Sequence, residues 1–152
     1  MIRGAPADRQ RPVSLSAVRR AAWFRYRLRR FLRFSERGAR ACGVTRQQHQ
    51  LLLGVAGYTG RGWATITELA EFLQERHNAV VGLVQRAARQ GLVRKEQGTR
   101  DRRFVRVRLT RQGTATLHKL TRLHSKELRT LQNQMFATSK VRPQAIVAAR
   151  GA

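Results

Sequence analysis

The stretch ATITELAEFLQERHNAVVGLVQRAARQGLVRKEQGTRDRRFVRVRL, residues 64–109, decides how the chain folds. Ala64-Thr65-Ile66 is long enough for only a minimal strand, and Thr67 then offers an N-cap for a short helix carrying Leu69, Ala70, Phe72 and Leu73. The polar break Glu75-Arg76-His77-Asn78 starts a second helix. In it Val80, Val81, Leu83, Val84, Ala87 and Ala88 recur at helical spacing until Gly91 stops it. Leu92 to Gln97 and Phe104 to Leu109 read as two strands joined by a loop from Gly98 to Arg103. The second strand alternates apolar and basic residues, as a half-buried strand does. Two short helices at a tight turn followed by a cation-tipped hairpin make a winged helix-turn-helix. The major groove of DNA, about 12 Å wide, admits one such helix, and a two-stranded ribbon can lie along the backbone or enter the adjacent minor groove.

On either side of this stretch lie longer helices. Ser14 or Ser16 can cap a helix of roughly seven turns in which Val18, Ala21, Phe24, Leu28, Phe31, Leu32, Ala39 and Cys42 recur at mostly 3–4 spacing. Gly43 follows at its C-terminal end, and Thr45-Arg-Gln-Gln48 is a capping box opening a helix through about Val55, ended by Gly57, Gly60 and Gly62. Beyond a turn at Thr110 to Gly113, Leu117, Leu120, His124, Leu128, Leu131 and Met135 predict a last long helix. The expected class is mainly α with a small β-hairpin wing (α+β), one structural domain overall. Its parts are a flexible basic arm (1–13), an N-terminal helix (14–42), the winged module (43–112), a C-terminal helix (113–137) and a tail with room for a short helix (138–152).

Charge narrows the partner. The 152 residues carry 32 Lys+Arg against 8 Asp+Glu, a net charge of +24, while 41% hydrophobic content is enough for a core. A polyanion is therefore the first expectation. Residues 1–42 hold +10, 43–93 only +2, 94–111 hold +6 and 112–152 another +6, so a nearly neutral centre carries basic projections. The single cysteine, Cys42, forms no intrachain disulfide and suggests a reducing compartment. No apolar run is long enough to span a membrane. An Arg-rich start superficially resembles a transit peptide, but the amphipathic helix running on from it argues against removal. The four histidines lack metal-ligand spacing, and no catalytic Ser/His/Asp order, phosphate loop or acidic pair is present. Neither an enzyme nor a cofactor is expected.

The chain resembles the MarR (multiple antibiotic resistance regulator) family of bacterial transcription factors. The matching residues are Leu69-Ala70, Val80-Val81-Gly82-Leu83-Val84, Gly91-Leu92-Val93, Asp101-Arg102-Arg103 and Leu109-Thr110-x-x-Gly113, in family order and spacing. The runs Phe24-Arg25-Tyr26 to Glu36 and Gln48-His49-Gln50-Leu51-Leu52-Leu53 look like one subgroup. The resemblance implies an obligate homodimer whose first and last helices interlock, which agrees with two amphipathic helices having more apolar surface than the small module can cover. It implies a cytoplasmic, nucleoid-associated regulator, most simply a repressor, binding a palindromic double-stranded operator and released by a small-molecule effector. The effector pocket it implies lies between the dimer helices and the module, with Phe24, Tyr26, Phe31, His49 and Trp63 as candidate lining.

Base-reading candidates are His77, Asn78, Ala79, Gly82, Gln85 and Arg86, at the start and on the exposed face of the second short helix. Asn and Gln pair with adenine and Arg with guanine, and a small residue permits close approach; Asn78 has a helix cap as its alternative role. Thr45, Gln47, Thr65 and Thr67 are candidates for phosphate contacts. The wing candidates are Arg94, Lys95, Thr99, Arg100, Arg102 and Arg103. Nine arginines of the first helix (Arg19, Arg20, Arg25, Arg27, Arg29, Arg30, Arg33, Arg37 and Arg40) read as a solvated interface rim, with a second DNA-facing surface as the alternative. Cys42 is read as inert, with a redox trigger as the alternative. An architectural DNA-binding protein of weak sequence preference competes with the regulator, and an RNA-binding protein is disfavoured by the lack of a surface aromatic platform.

Asp101 stands among the wing cations, and the resemblance assigns it the role of orienting Arg103. Asp101→Ala is expected to weaken DNA binding at constant fold, and an unchanged affinity in a gel-shift titration would remove that role.

Overall fold

The computed structural model describes residues 12–98 and 104–136. The chain runs α1 (Leu15–Ala41), α2 (Arg46–Leu53), a π-helical turn (Gly54–Tyr58), β1 (Trp63–Thr65), α3 (Ile66–Leu73), α4 (His77–Arg89), β2 (Val93–Gln97), β3 (Val105–Leu109) and α5 (Arg111–Phe136). With no described helix long and apolar enough to cross a membrane, the architecture is a winged helix-turn-helix carried on two long helices. β1 pairs antiparallel with β3, giving a three-stranded sheet of order β1-β3-β2 in place of a two-stranded hairpin.

Local chemistry fixes most boundaries. Ser14 accepts a hydrogen bond from the Ala17 amide, and Gly43 leaves α1 at φ +78°. The Thr45–Gln48 capping box is present. Helix α2 does not stop at Val55; its helical path continues through the π turn to Tyr58, with Gly57 inside it. The third helix starts two residues earlier than Thr67 would place it, because Thr65 forms a capping box with Glu68. The last helix likewise begins at Arg111, where Thr110 Oγ1 accepts from the Gly113 amide at 3.0 Å.

The core joins the module to its supports. Leu51, Leu52, Val55, Ala64, Leu69, Val80, Val84 and Val107 pack with Leu117 and Leu120 of α5 and Ala39 of α1. Gly113 matters because α5 crosses β2 with almost no gap: a Cβ built there would lie 1.9 Å from the Leu92 carbonyl oxygen. Gly113→Ala is therefore expected to cost more than about 3 kcal/mol or to prevent folding. Gly57→Ala, whose Cβ meets nothing within 4 Å, should change stability by less than about 1 kcal/mol. Urea denaturation of the two variants checks the contrast.

Candidate nucleic-acid interface

The α3–α4 turn presents the start of α4. Gln74 ends α3 in the left-handed region at φ 53°, and Arg76 precedes α4 with no side-chain cap. The first α4 amide bonded to Arg76 O is that of Val80, so the amides of His77, Asn78 and Ala79 have no partner within the helix. Asn78 is thus the second residue of the helix and does not cap it. Val80, Leu83, Val84 and Ala87 bury one side of α4, while His77, Asn78, Ala79, Gln85 and Arg86 are exposed and Gly82 is half-buried between them.

Two clefts of about 320 Å³ flank this helix. One brings Gln47 of α2 beside Asn78, Ala79, Gly82 and Arg86, with Glu75 on its edge. The other gathers Thr67, His77, Gln85, Lys95 and the exposed ring of Phe104. Gln48 fastens α2 to the end of α4 through Gln90, so the two helices hold a fixed relation. Neither Glu75 nor Phe104 is a candidate in the sequence reading; their signal, an acid or an aromatic beside a predicted turn, is common to many exposed residues.

Not every expected phosphate or wing residue points to this surface. Thr45 remains exposed, its oxygen accepting from the Gln48 amide at 3.1 Å. Thr65 does not remain free, since its hydroxyl accepts from the Glu68 amide and donates to the Glu68 carboxylate at 3.1 Å. That carboxylate is held below its ordinary range, first by the Thr65 amide and also by Arg61, so it is anionic where a phosphate would sit. Strand alternation sends Arg94 and Lys95 to opposite faces. Lys95 lies beside Gln85, Ala88 and Arg89 of α4, whereas Arg94 pairs with Glu96 at 2.9 Å on the outer face, where Arg108 meets the same carboxylate at 2.9 Å. Thr99, Arg100, Asp101, Arg102 and Arg103 lie outside the described residues, as do residues 1–11 of the arm and the 138–152 tail.

The five residues expected to line an effector pocket do not converge. Trp63 sits on the outer sheet face between Arg61, 3.9 Å from its ring centre, and Arg106 at 4.7 Å. Phe24 and Tyr26 are exposed on α1. Only Phe31 and His49 come together, around His124, with ring centres 6.4 Å and 5.1 Å from it. Helical spacing places aromatic residues on a face without saying which neighbour covers it.

These features define a winged helix-turn-helix fold. Residues 43–103 match the MarR family model. Solved structures with the same fold include AbsC, a MarR family transcriptional regulator from Streptomyces coelicolor (20% identity, 84% of this chain and 86% of that one, TM-score 0.69). They also include a MarR mutant from E. coli complexed with operator DNA (19%, 82% and 89%, 0.63) and a MepR mutant from S. aureus bound to an oligodeoxyribonucleotide (20%, 81% and 85%, 0.60). No curated protein matches. The chain thus shares the winged helix-turn-helix fold of these MarR-family regulators, and its central residues 43–103 match the family model.

The His49–His124 pair makes the support of this interface sensitive to pH. Both rings are buried, Ser35 Oγ lies 3.5 Å from His49 Nδ1, and His124 Nε2 is buried without a hydrogen-bond partner. Burial, and then the neighbouring His124, push His49 down to about 4; burial alone lowers His124. In the unfolded chain a histidine takes up its proton near pH 6.5. Stability is therefore full above that pH and is lost as pH falls from 6.5 towards 4, by about 3 kcal/mol for His49 alone. His124→Leu removes the unpartnered nitrogen and the His124 share of this dependence, leaving the part due to His49's own burial, while costing less than about 1 kcal/mol at pH 7.5. Urea unfolding at pH 5 and 7.5 measures both.

Proposed function

We propose that the chain is a sequence-specific regulator of transcription that binds a palindromic double-stranded DNA site as a homodimer. The observation that carries this reading is the exposed face of α4, with Asn78 beside the open amides at its start and Gln85 and Arg86 on the same helix towards its end. The amides favour a phosphate, the side chains match base edges, and Gly82 lets the backbone come close. Gln47 borders the same cleft, and Lys95 stands on the wing side, within reach of the flanking backbone. By the family resemblance, Arg100, Arg102 and Arg103 are proposed as further DNA contacts, with Asp101 as their brace.

Dimerisation is supported by apolar side chains left open on the two long helices: Leu15, Val18 and Phe24 of α1 and Leu123, Leu128 and Met135 of α5. A second copy covering them would set two α4 helices about one turn of DNA apart, roughly 10 base pairs. Such a protein acts in the cytoplasm on the nucleoid, and represses where its site overlaps a promoter. The E. coli MarR mutant is seen with operator DNA, which fits this reading of the shared fold.

Selection from random duplex DNA tests it. The full chain should enrich a palindrome over random sequence by roughly 10³-fold or more at physiological salt, whereas a flat profile would sink the proposal. On the selected site, Asn78→Ala and Arg86→Ala should each cost about 1–3 kcal/mol and relax preference at one position per half-site.

A further inference from the structure

We infer that the outer face of α1 is a second binding surface for duplex DNA, so that the protein holds a second DNA segment besides the one at α4. At about 100° per residue, Arg19, Arg29, Arg30, Arg33, Arg37 and Arg40 fall within an arc roughly 100° wide. All six are exposed, and between Arg19 and Arg40 the only other residues on that arc are Ala22 and Tyr26. The opposite side of the helix holds Phe31, Phe34, Ser35, Gly38 and Ala39, which face α2 and α5. The arginine arc thus points away from the elements that carry the winged module.

Three observations favour a polyphosphate over plain solvent. α1 contains no lysine; guanidinium groups are the weakly hydrated, forked donors suited to phosphate oxygens. Its single acid, Glu36, pairs only with Arg40, at 2.8 Å. The side chains are also partly ordered: Arg30 lies over the Tyr26 ring at 6.0 Å, Arg27 over Trp23 at 5.9 Å, and Trp23 meets Tyr26 edge to face at 5.4 Å. From Arg19 to Arg40 the stripe is about 32 Å long, close to one turn of duplex. A membrane surface fits less well, because a helix lying in lipid needs an apolar face beside its cations, and between Arg19 and Arg40 this arc holds only Ala22 and Tyr26 besides arginine.

Duplex held at α4 would have to bend around the protein to reach this arc, and bending a short site sharply costs several kcal/mol. A separate segment meets it without that cost. Bridging rests on the proposal that α4 holds the first duplex; the affinity of α1 for DNA does not.

The test tethers a duplex carrying the selected site, loads the full chain, and measures capture of a second, labelled random duplex across a salt series. The triple variant Arg29→Gln, Arg33→Gln, Arg37→Gln changes only arginines outside the contacts described above. It should bind the tethered duplex within about twofold, capture the second at least tenfold less, and lower the salt slope of capture by about 2–3. Arg33→Gln alone, a smaller charge loss, should reduce capture about two- to threefold and serves if the triple variant folds poorly. The inference is overturned if the wild type captures no second duplex. It is also overturned if the variant loses first and second duplex in proportion, or if α1 binds anionic phosphatidylserine vesicles and not DNA. In an Asn78→Ala, Arg86→Ala chain, random-duplex binding through α1 should persist. If the wild type shows no site preference yet the triple variant still loses duplex affinity tenfold, the regulator reading fails and the α1 surface stands.

Discussion

The position of every DNA-facing element depends on what gathers around the Leu92 backbone. Its amide donates to Ala87 O at 2.9 Å, closing the end of α4 after Gly91 turns the chain at φ +71°. Its carbonyl accepts from the Thr110 amide at 3.1 Å, and Thr110 Oγ1 donates to Gly91 O while accepting from the Gly113 amide. One residue therefore joins the end of the recognition helix, the start of the first wing strand, the end of the second and the start of α5. A carbonyl with these partners leaves no room for a Cβ at Gly113, so the wing strands and the end of α4 are joined directly to the long helix behind them.

The parts of this arrangement written in local chemistry were legible in the sequence: the Thr45 capping box, the αL glycine after α1, the alternation of β3 and the apolar face of α4. Parts that depend on competition or on distant neighbours were not. Thr65 and Thr67 both have a hydroxyl before the same helix, and Thr65 wins because Glu68 stands three residues after it and can return the bond. β1 is too short to stand alone and exists because β3 offers it an edge, with Ala64 opposite Val107. The recognition-helix candidates lie on one exposed surface since a 3.6-residue period already separates them from Val80, Leu83, Val84 and Ala87. That Phe31 and His49 meet at His124 while Tyr26 and Trp63 lie elsewhere was not legible, because periodicity within one helix carries no information about which helix lies opposite.

The crossing of α1 and α5 shows a different use of polar groups. Gly38 lets the helices approach so closely that an added Cβ would fall 2.7 Å from His124 Nε2, and Phe31, Phe34 and His49 surround that ring. An apolar side chain of the same shape would pack there without an unpartnered nitrogen. The histidines thus give up some stability at the contact between the two long helices.

Charge and sequence reading are carried by different parts of the molecule. The segment from Gly43 to Val93, which contains the recognition helix, has a net charge of only +2, whereas residues 1–42 carry +10. A nearly neutral reading surface suits discrimination, because phosphate attraction strengthens correct and incorrect sites alike and leaves their ratio unchanged. If the cations lay beside α4, they would raise affinity for every sequence. The six arginines of the α1 arc, in the proposed reading, would concentrate the protein on DNA through a separate contact and leave the choice among sequences to the exposed side chains of α4.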